Sequence, residues 1–234
     1  SAPIFFLVGI WGGANKERAA FRALVSHTAG NGLLFAALVL IYYSRDPHTF
    51  LIKDLVLAGG VSDRAISLAG VSAPISTVAF FLFCLGLALR APIWPIHGWF
   101  AELAKEAPAA VFVSVAGATV PVGAVIFVRI SHLLFPELMH DWAPWIAGTG
   151  VVSLFVGALA LLGQRRLASV LAYLVLIETG LSLLGLGSGN ANAVVGVLFQ
   201  QLGAGVATAA LGLLFGQLSE GWGLVDAPEK GGGL

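Results

Sequence analysis

Apolar residues run along this chain in long blocks, broken by short polar turns. A membrane span needs about 20 mostly apolar residues. By that measure full spans are predicted at about 20–43, 75–96, 109–130, 142–163, 167–187 and 192–217. A shorter apolar run at about 3–12 reads as the second half of a helix whose first half precedes Ser1. With no basic stretch before it, that run does not read as a signal peptide. Gly12-Gly13-Ala14-Asn15-Lys16-Glu17-Arg18 reads as a polar turn, and 131–141 and 186–191 as short connectors. Loop 44–72 is the longest, and within it Phe50–Ala58 reads as a short interfacial helix or strand. The predicted fold class is therefore all-α: one polytopic transmembrane bundle over 1–234, part of a larger protein, with a closing loop at 229–234.

Composition agrees with lipid as the solvent. Of 234 residues, 58% are hydrophobic and 10% charged, where a soluble domain carries about a quarter as charge. Lys+Arg and Asp+Glu both number 12, so net charge points to no nucleic-acid partner. Cys84 is the sole cysteine and makes no internal disulfide. The 30 glycines are scattered through the spans, as helix packing in membranes uses them, and form no phosphate-binding loop. No metal cluster or hydrolase triad is present in the pattern. Trp142, Trp145, Trp222, Tyr42 and Tyr43 fall near span ends, where interfacial aromatics belong. One set of loops carries Lys16, Arg18, Arg22, Lys105, Arg165, Arg166 and Lys230, the other Arg45, Lys53, Arg64 and Arg129. This bias places the first set in the cytoplasm.

The span at 75–96 holds Arg90, Pro92 and Pro95. Each proline removes a backbone donor and clashes with the preceding turn, which predicts a broken helix rather than a simple kink. In lipid, such a break is tolerated against protein or water, and transporters use breaks at ion sites. Arg90 lies about 15 residues into its span, near mid-depth at ~1.5 Å per residue. It must face the interior, either to act on a neighbouring carboxylate or as half of a structural ion pair. Glu178 is the only carboxylate deep in a span, and reads as a proton relay or as a protonated group bonded to a backbone carbonyl. His27 reads as relay or packing, and His97 as a proton inlet or a helix cap. Glu102 and Glu106, four apart, share one helical face and either feed protons into the break or are solvated. His132 and His140 read as loop residues.

Three blocks carry a resemblance. Pro3-Ile4-Phe5-Phe6-Leu7-Val8-Gly9-Ile10-Trp11-Gly12-Gly13 resembles the PMFFLIGIWGG segment of the antiporter-like membrane subunits of respiratory complex I. Pro92-Ile93-Trp94-Pro95-Ile96-His97-Gly98-Trp99-Phe100, on to Glu106-Ala107-Pro108, resembles their P-x-x-P-x-H-x-W-L-P-D/E-A-x-x-E-A-P. Gln164, Leu167, Leu171-Ala172-Tyr173 and Gly180 resemble Q-x-D-L-K-R-L-L-A-Y-S-S-I-x-x-x-G. The chain 4 (M) type is the nearest branch. Its relatives are subunits of membrane-bound hydrogenases, cation/proton antiporters and CO2-uptake complexes.

The resemblance implies a fourteen-helix parent, of which this chain covers the second half of helix 5 to helix 11. It implies proton translocation driven by quinone reduction elsewhere, as part of a translocating NAD(P)H-quinone oxidoreductase of a bacterial or organellar energy-coupling membrane. Quinone, NAD(P)H and iron-sulfur centres are expected only in partner subunits, with no cofactor or metal in this chain. Its partners would be other membrane subunits and lipid. The family's helix 7 lysine falls on Arg90, which keeps the charge but gives up its proton far less readily. Its helix 8 lysine falls on Pro121, the lysine of D-L-K-R on Ala168, and a helix 11 histidine on Leu202. A subunit that fills the bundle and pumps nothing is the rival expectation.

Overall fold

The computed structural model describes residues 2–46, 48–68 and 71–222, with the side chains of 66–71 and 218–222 left aside. Lys230 and the expected loop at 229–234 lie outside the described residues. Helix α1 (Ala2–Trp11) turns at Gly12 into the long α2 (Lys16–Tyr43). The segment after α2 holds α3 (Ile52–Leu57) and an antiparallel hairpin of β1 (Ala65–Leu68) and β2 (Val71–Pro74), paired Ala65↔Pro74 to Leu68↔Val71. The broken span follows as α4 (Ile75–Ala88) and α5 (Gly98–Glu106). Next come α6 (Ala109–Ser114), a π-helical turn (Val115–Thr119) and α7 (Val120–Leu134), which run on as one helix, then α8 (Pro136–Leu162), α9 (Leu167–Leu186) and α10 (Ala191–Trp222).

Among the described residues, five helical stretches are long and apolar enough to cross a membrane alone: 16–43, 109–134, 136–162, 167–186 and 191–217. The broken span is made of α4, the break and α5. The chain is an integral membrane protein and a helical bundle, as its hydropathy predicts.

Several boundaries differ from the sequence reading. The hairpin is an addition to the expected all-α bundle. The stretch 50–58 resolves into helix α3. The connector expected at 131–141 shrinks to Phe135, because Pro136, in the first turn of α8, needs no backbone donor there. His132 and His140 therefore lie in α7 and α8, not in a loop.

The loops gather at two ends. At the lower end the α1–α2 turn meets the end of α5, where Gly13 N–H donates to the Glu106 carbonyl at 2.9 Å. At the upper end Val61 N–H donates to the Leu134 carbonyl at 3.1 Å, and Gly60, at φ +86°, passes against that same carbonyl. Each end has its own apolar core. The lower one includes Val8, Trp99, Phe100, Leu103, Phe112 and Leu171. The upper includes Ile41, Phe80, Phe83, Phe127, Met139 and Leu186.

Three helix crossings are made backbone to backbone through paired glycines. A Cβ on Gly30 of α2 would lie 2.8 Å from the Gly86 carbonyl oxygen of α4, and one on Gly86 3.0 Å from that of Gly30. Gly117 in the π-helical turn meets Gly205 of α10 in the same way, at 2.9 and 2.6 Å. Gly150 of α8 meets Gly180 of α9, at 2.6 and 2.7 Å. Between lipid-immersed helices the hydrophobic effect gives little attraction, so such close approach is what binds them.

Candidate functional site

The break in the α4–α5 span follows from its two prolines. Pro92 has no N–H for the Ala88 carbonyl and Pro95 none for that of Ala91, so α4 stops at Ala88 and the helix resumes at Gly98. The peptide between Trp94 and Pro95 is cis. Neighbouring helices supply partners for the freed backbone: Ser26 Oγ of α2 donates to the Leu89 carbonyl at 2.6 Å, and Trp94 N–H donates to Ser153 Oγ of α8 at 3.1 Å. Ser153 in turn donates to the Thr149 carbonyl at 2.8 Å. The break is thus clamped between α2 and α8.

Arg90 sits at the start of this break, half-buried, and its Nη1 donates to Asn31 Oδ1 of α2. Among the described residues no carboxylate lies within ion-pair distance of it. Its side chain lines a cavity of about 410 Å³ between the break, α7, α8, α9 and α10. The other polar side chains on that wall are Thr119, Thr149, Thr179, Ser182 and Gln201, so Arg90 is its single charge among the described residues. The sole cysteine, Cys84, also faces this cavity. The site is a mostly apolar hollow at mid-bundle with a few convergent polar groups, the usual form of a binding or conduction site.

On the far wall Gln201 is 3% exposed, and its Nε2 donates to Ser182 Oγ at 2.7 Å. The Ser182 hydroxyl has two acceptors, the Glu178 carbonyl at 2.9 Å and Gln200 Oε1 at 3.1 Å. Gln200 Nε2 donates to that same Glu178 carbonyl at 3.2 Å. Glu178 is thus tied in by its backbone; its half-buried side chain is not part of the cavity wall.

His27 lies one turn below Asn31 on α2, 1% exposed, edge-on to the Trp99 ring at 4.7 Å. His97 stands immediately before α5 and makes no side-chain hydrogen bond to its first turn; its ring lies near Tyr173, with centroids 6.3 Å apart. At the lower end Glu102 accepts from Arg22 and lies 3.9 Å from Arg18. Glu106 Oε2 accepts the backbone N–H of Asn15, the residue just before α2, at 2.9 Å. The structure therefore brings together Arg90, Pro92, Pro95 and the α2 face with His27. It groups Glu102 and Glu106 with the α2 N-terminus, and keeps the Glu178 side chain off the cavity wall.

Glu106 acts across space as an N-terminal cap for α2. Losing such a cap costs about 1 kcal/mol. Glu106→Ala is expected to lower unfolding free energy by about that much, with Glu106→Gln much closer to wild type because an amide oxygen still accepts. A thermal melt of the two variants checks this.

Asn31, Ser153, Ser182, Gln200 and Gln201 were not singled out from sequence. The available signal was an isolated amide or hydroxyl inside an apolar span. Leu202, where a helix 11 histidine was expected, is 62% exposed, and its neighbour Gln201 faces the cavity instead. Pro121 is buried just past the π-helical turn, whose Val120 N–H donates five residues back to the Val115 carbonyl. Ala168 borders a separate hollow of about 120 Å³ at the lower end, with Lys105. Among the described residues no three His, Cys, Asp or Glu gather as a metal site.

A broken helix with one fixed charge on the wall of an apolar hollow is an arrangement that membrane transporters use at their ion sites. Residues 1–222 match the family described as NADH:quinone oxidoreductase/Mrp antiporter, TM. The chain belongs to that family. It is 28% identical over 199 residues to NAD(P)H-quinone oxidoreductase chain 4 2 of Thermosynechococcus vestitus, covering 85% of this chain and 35% of that protein. It is likewise 28% identical over 201 residues to NADH-quinone oxidoreductase subunit M of Rhodobacter capsulatus, covering 85% of this chain and 39% of that one. The chain thus spans little more than a third of these curated relatives. The fold superposes on a chain of respiratory complex I from Thermus thermophilus with a TM-score of 0.85 and 24% identity, over 96% of this chain and 46% of that chain.

Proposed function

We propose that the chain is the core of a membrane subunit of a complex I-like assembly and takes part in proton translocation coupled to quinone reduction in other subunits. The observation that carries this reading is the broken helix that sets Arg90 on the wall of a cavity of about 410 Å³. A guanidinium does not release its proton at working pH, so Arg90 fixes the field while other groups carry. His27 on α2 and Glu178 on α9 relay, His97 and Glu102 serve the lower end, and Glu106 holds α2 to α5 there. Pro92 and Pro95 keep the hollow open. Quinone, NAD(P)H and iron-sulfur centres belong to partner subunits, and the partners are other membrane subunits and lipid, not nucleic acid. The membrane is a bacterial or organellar energy-coupling one, with the lower end in the cytoplasm.

The rival reading is a structural paralogue that fills the bundle without pumping. Its support is the neutral cavity wall apart from Arg90, with Pro121, Ala168 and Leu202 at three positions where the family carries titratable groups. The family also spans Mrp antiporters, so a subunit of a cation/proton antiporter, membrane-bound hydrogenase or CO2-uptake complex is the third reading, marked by sodium-dependent transport.

Glu178→Gln in the assembled complex, reconstituted in vesicles, is expected to lower proton pumping about a hundredfold, the scale of losing a positioned acid–base group. Quinone reduction measured in detergent should persist. Unchanged pumping would remove Glu178 from the path. A map of the whole assembly that shows water tests the cavity: a file of water joining Arg90, His27 and Glu178 to both faces supports conduction, and a dry interior around Pro121 and Gln201 supports the scaffold.

A further inference from the structure

The seam between α2 and α5 holds three polar atoms that no contact described so far occupies. His27 Nε2, Trp99 Nε1 and Glu102 Oε2 are each buried without a hydrogen-bond partner among the described residues. His27 is 1% and Trp99 5% exposed, and their rings meet edge-on at 4.7 Å. Glu102 follows Trp99 by three residues in α5, so their side chains leave the helix as neighbours. Across the seam, Arg22 of α2 holds the other oxygen of Glu102, Oε1. That contact leaves Oε2 as the oxygen not engaged at the lower end. Along the seam from that end the order is Glu102, Trp99, His27.

Buried polar groups are paired, by protein or by ordered water. The three atoms here are complementary in a particular way. An indole N–H only donates, a carboxylate only accepts, and an imidazole nitrogen does either. The three needs together match one water molecule, which would accept from Trp99 and give one hydrogen to Glu102 and the other to His27. Three partners are what a buried water ordinarily has.

We propose that the α2–α5 seam holds an ordered water on the Trp99 indole N–H, and that this water passes a proton from Glu102 to His27. Trp99 is a positioning residue: it fixes the water without exchanging a proton. A proton arriving from the lower end first converts Glu102 Oε2 to O–H, which then donates to the water. Glu102 gives that proton to the water oxygen as the water gives one of its own to His27 Nε2. Glu102 returns to the carboxylate, His27 becomes the imidazolium, and the water is unchanged. His27 passes a proton on from its other ring nitrogen and is ready again once the ring has returned to the tautomer with Nε2 unprotonated. This step rests on the translocation reading and names where the proton enters it.

The test uses the assembled complex in vesicles, with pumping and a water-resolving map as readouts. Trp99→Phe keeps an aromatic ring against His27 and removes only the N–H end. It is expected to lose the seam water and slow pumping about a hundredfold. Trp99→His returns an N–H donor and is expected to recover to within about tenfold of wild type, which a packing role alone would not produce. Wild-type pumping in Trp99→Phe overturns the inference, as does equal slowing in Trp99→Phe and Trp99→His. A dry seam in a complex where Arg90→Gln still abolishes pumping overturns this inference and leaves the translocation reading standing. Wild-type pumping in Arg90→Gln, Glu178→Gln and Trp99→Phe alike means that this chain takes no part in translocation, which removes that reading and the transfer step with it.

Discussion

Gly180→Leu is expected to prevent stable assembly of the bundle. The α8–α9 crossing has no side chain between its two backbones at this point. A Cβ at Gly180 would already lie 2.7 Å from the Gly150 carbonyl oxygen and 2.7 Å from the Leu154 backbone nitrogen. These are main-chain atoms of a regular helix and have no rotamer into which to retreat. Overpacking of a tight core costs about 1–3 kcal/mol where side chains can shift, and a collision of backbones falls at or above the top of that range. The damage reaches the cavity as well. Thr149 and Thr179, which line it, each precede one of the two crossing glycines. Separating the helices therefore moves two groups of the wall. The measurement is the amount of subunit recovered in the intact complex, together with its thermal midpoint. Gly180→Ala should be intermediate. Gly196→Leu is the control, because a Cβ there meets nothing within 4 Å. Should Gly180→Leu assemble and melt like wild type, the close crossing is not what joins α8 to α9.

Arg90→Gln is expected to separate function from stability. In most buried ion sites the two fall together, because removing one charge strands its partner. Here the guanidinium is bonded to an uncharged amide, Asn31. A charge at mid-bilayer is itself costly, by about 2.5–3.5 kcal/mol on insertion scales. Neutralising Arg90 should therefore leave the melting temperature equal or higher, with the glutamine amide still able to donate to Asn31. Pumping should fall about a hundredfold, since the single charge on the cavity wall is gone. Arg90→Lys should retain part of the activity, because a lysine keeps a charge while giving up its proton more readily. Intact pumping in Arg90→Gln would mean that the field in the cavity does not matter. A drop in stability that matches the drop in pumping would instead make Arg90 a structural residue.

Much of the architecture was legible in the chain because lipid imposes a one-dimensional rule. A span must be apolar for about 20 residues, so hydropathy alone located α2, α6–α7, α8, α9 and α10. The break was legible for a local reason. Pro92 and Pro95 remove backbone donors wherever they stand, and Arg90 beside them marked the interior. Boundaries were less legible where two signals overlapped. His132, Glu137, His140 and Asp141 made 131–141 read as a connector. A helix can carry such residues where it leaves the membrane, and Pro136 can begin a helix without interrupting one, so α7 and α8 meet at a single residue.

The site was only half legible, for a reason of direction. Arg90, Glu178 and His27 were found because a charge or an imidazole in an apolar run has few innocent explanations. Asn31 and Gln201 are polar but neutral, and the sequence does not say which side of a helix an amide faces. Leu202 and Gln201 make the point: one position of rotation leaves one exposed and sets the other against the cavity. Glu106 reads from sequence as a solvated or proton-feeding carboxylate, yet its partner is the backbone N–H of Asn15, the residue before α2 and 91 positions away. The sequence by itself determined that this is a membrane bundle with a proline-broken helix and a charge at the break, because those properties follow from composition and local backbone chemistry. Only the tertiary structure decided what surrounds that charge. The cavity with Gln201 on its wall, the Arg90–Asn31 contact and the glycine crossings are made by residues far apart in the chain, brought together by packing that no local rule contains.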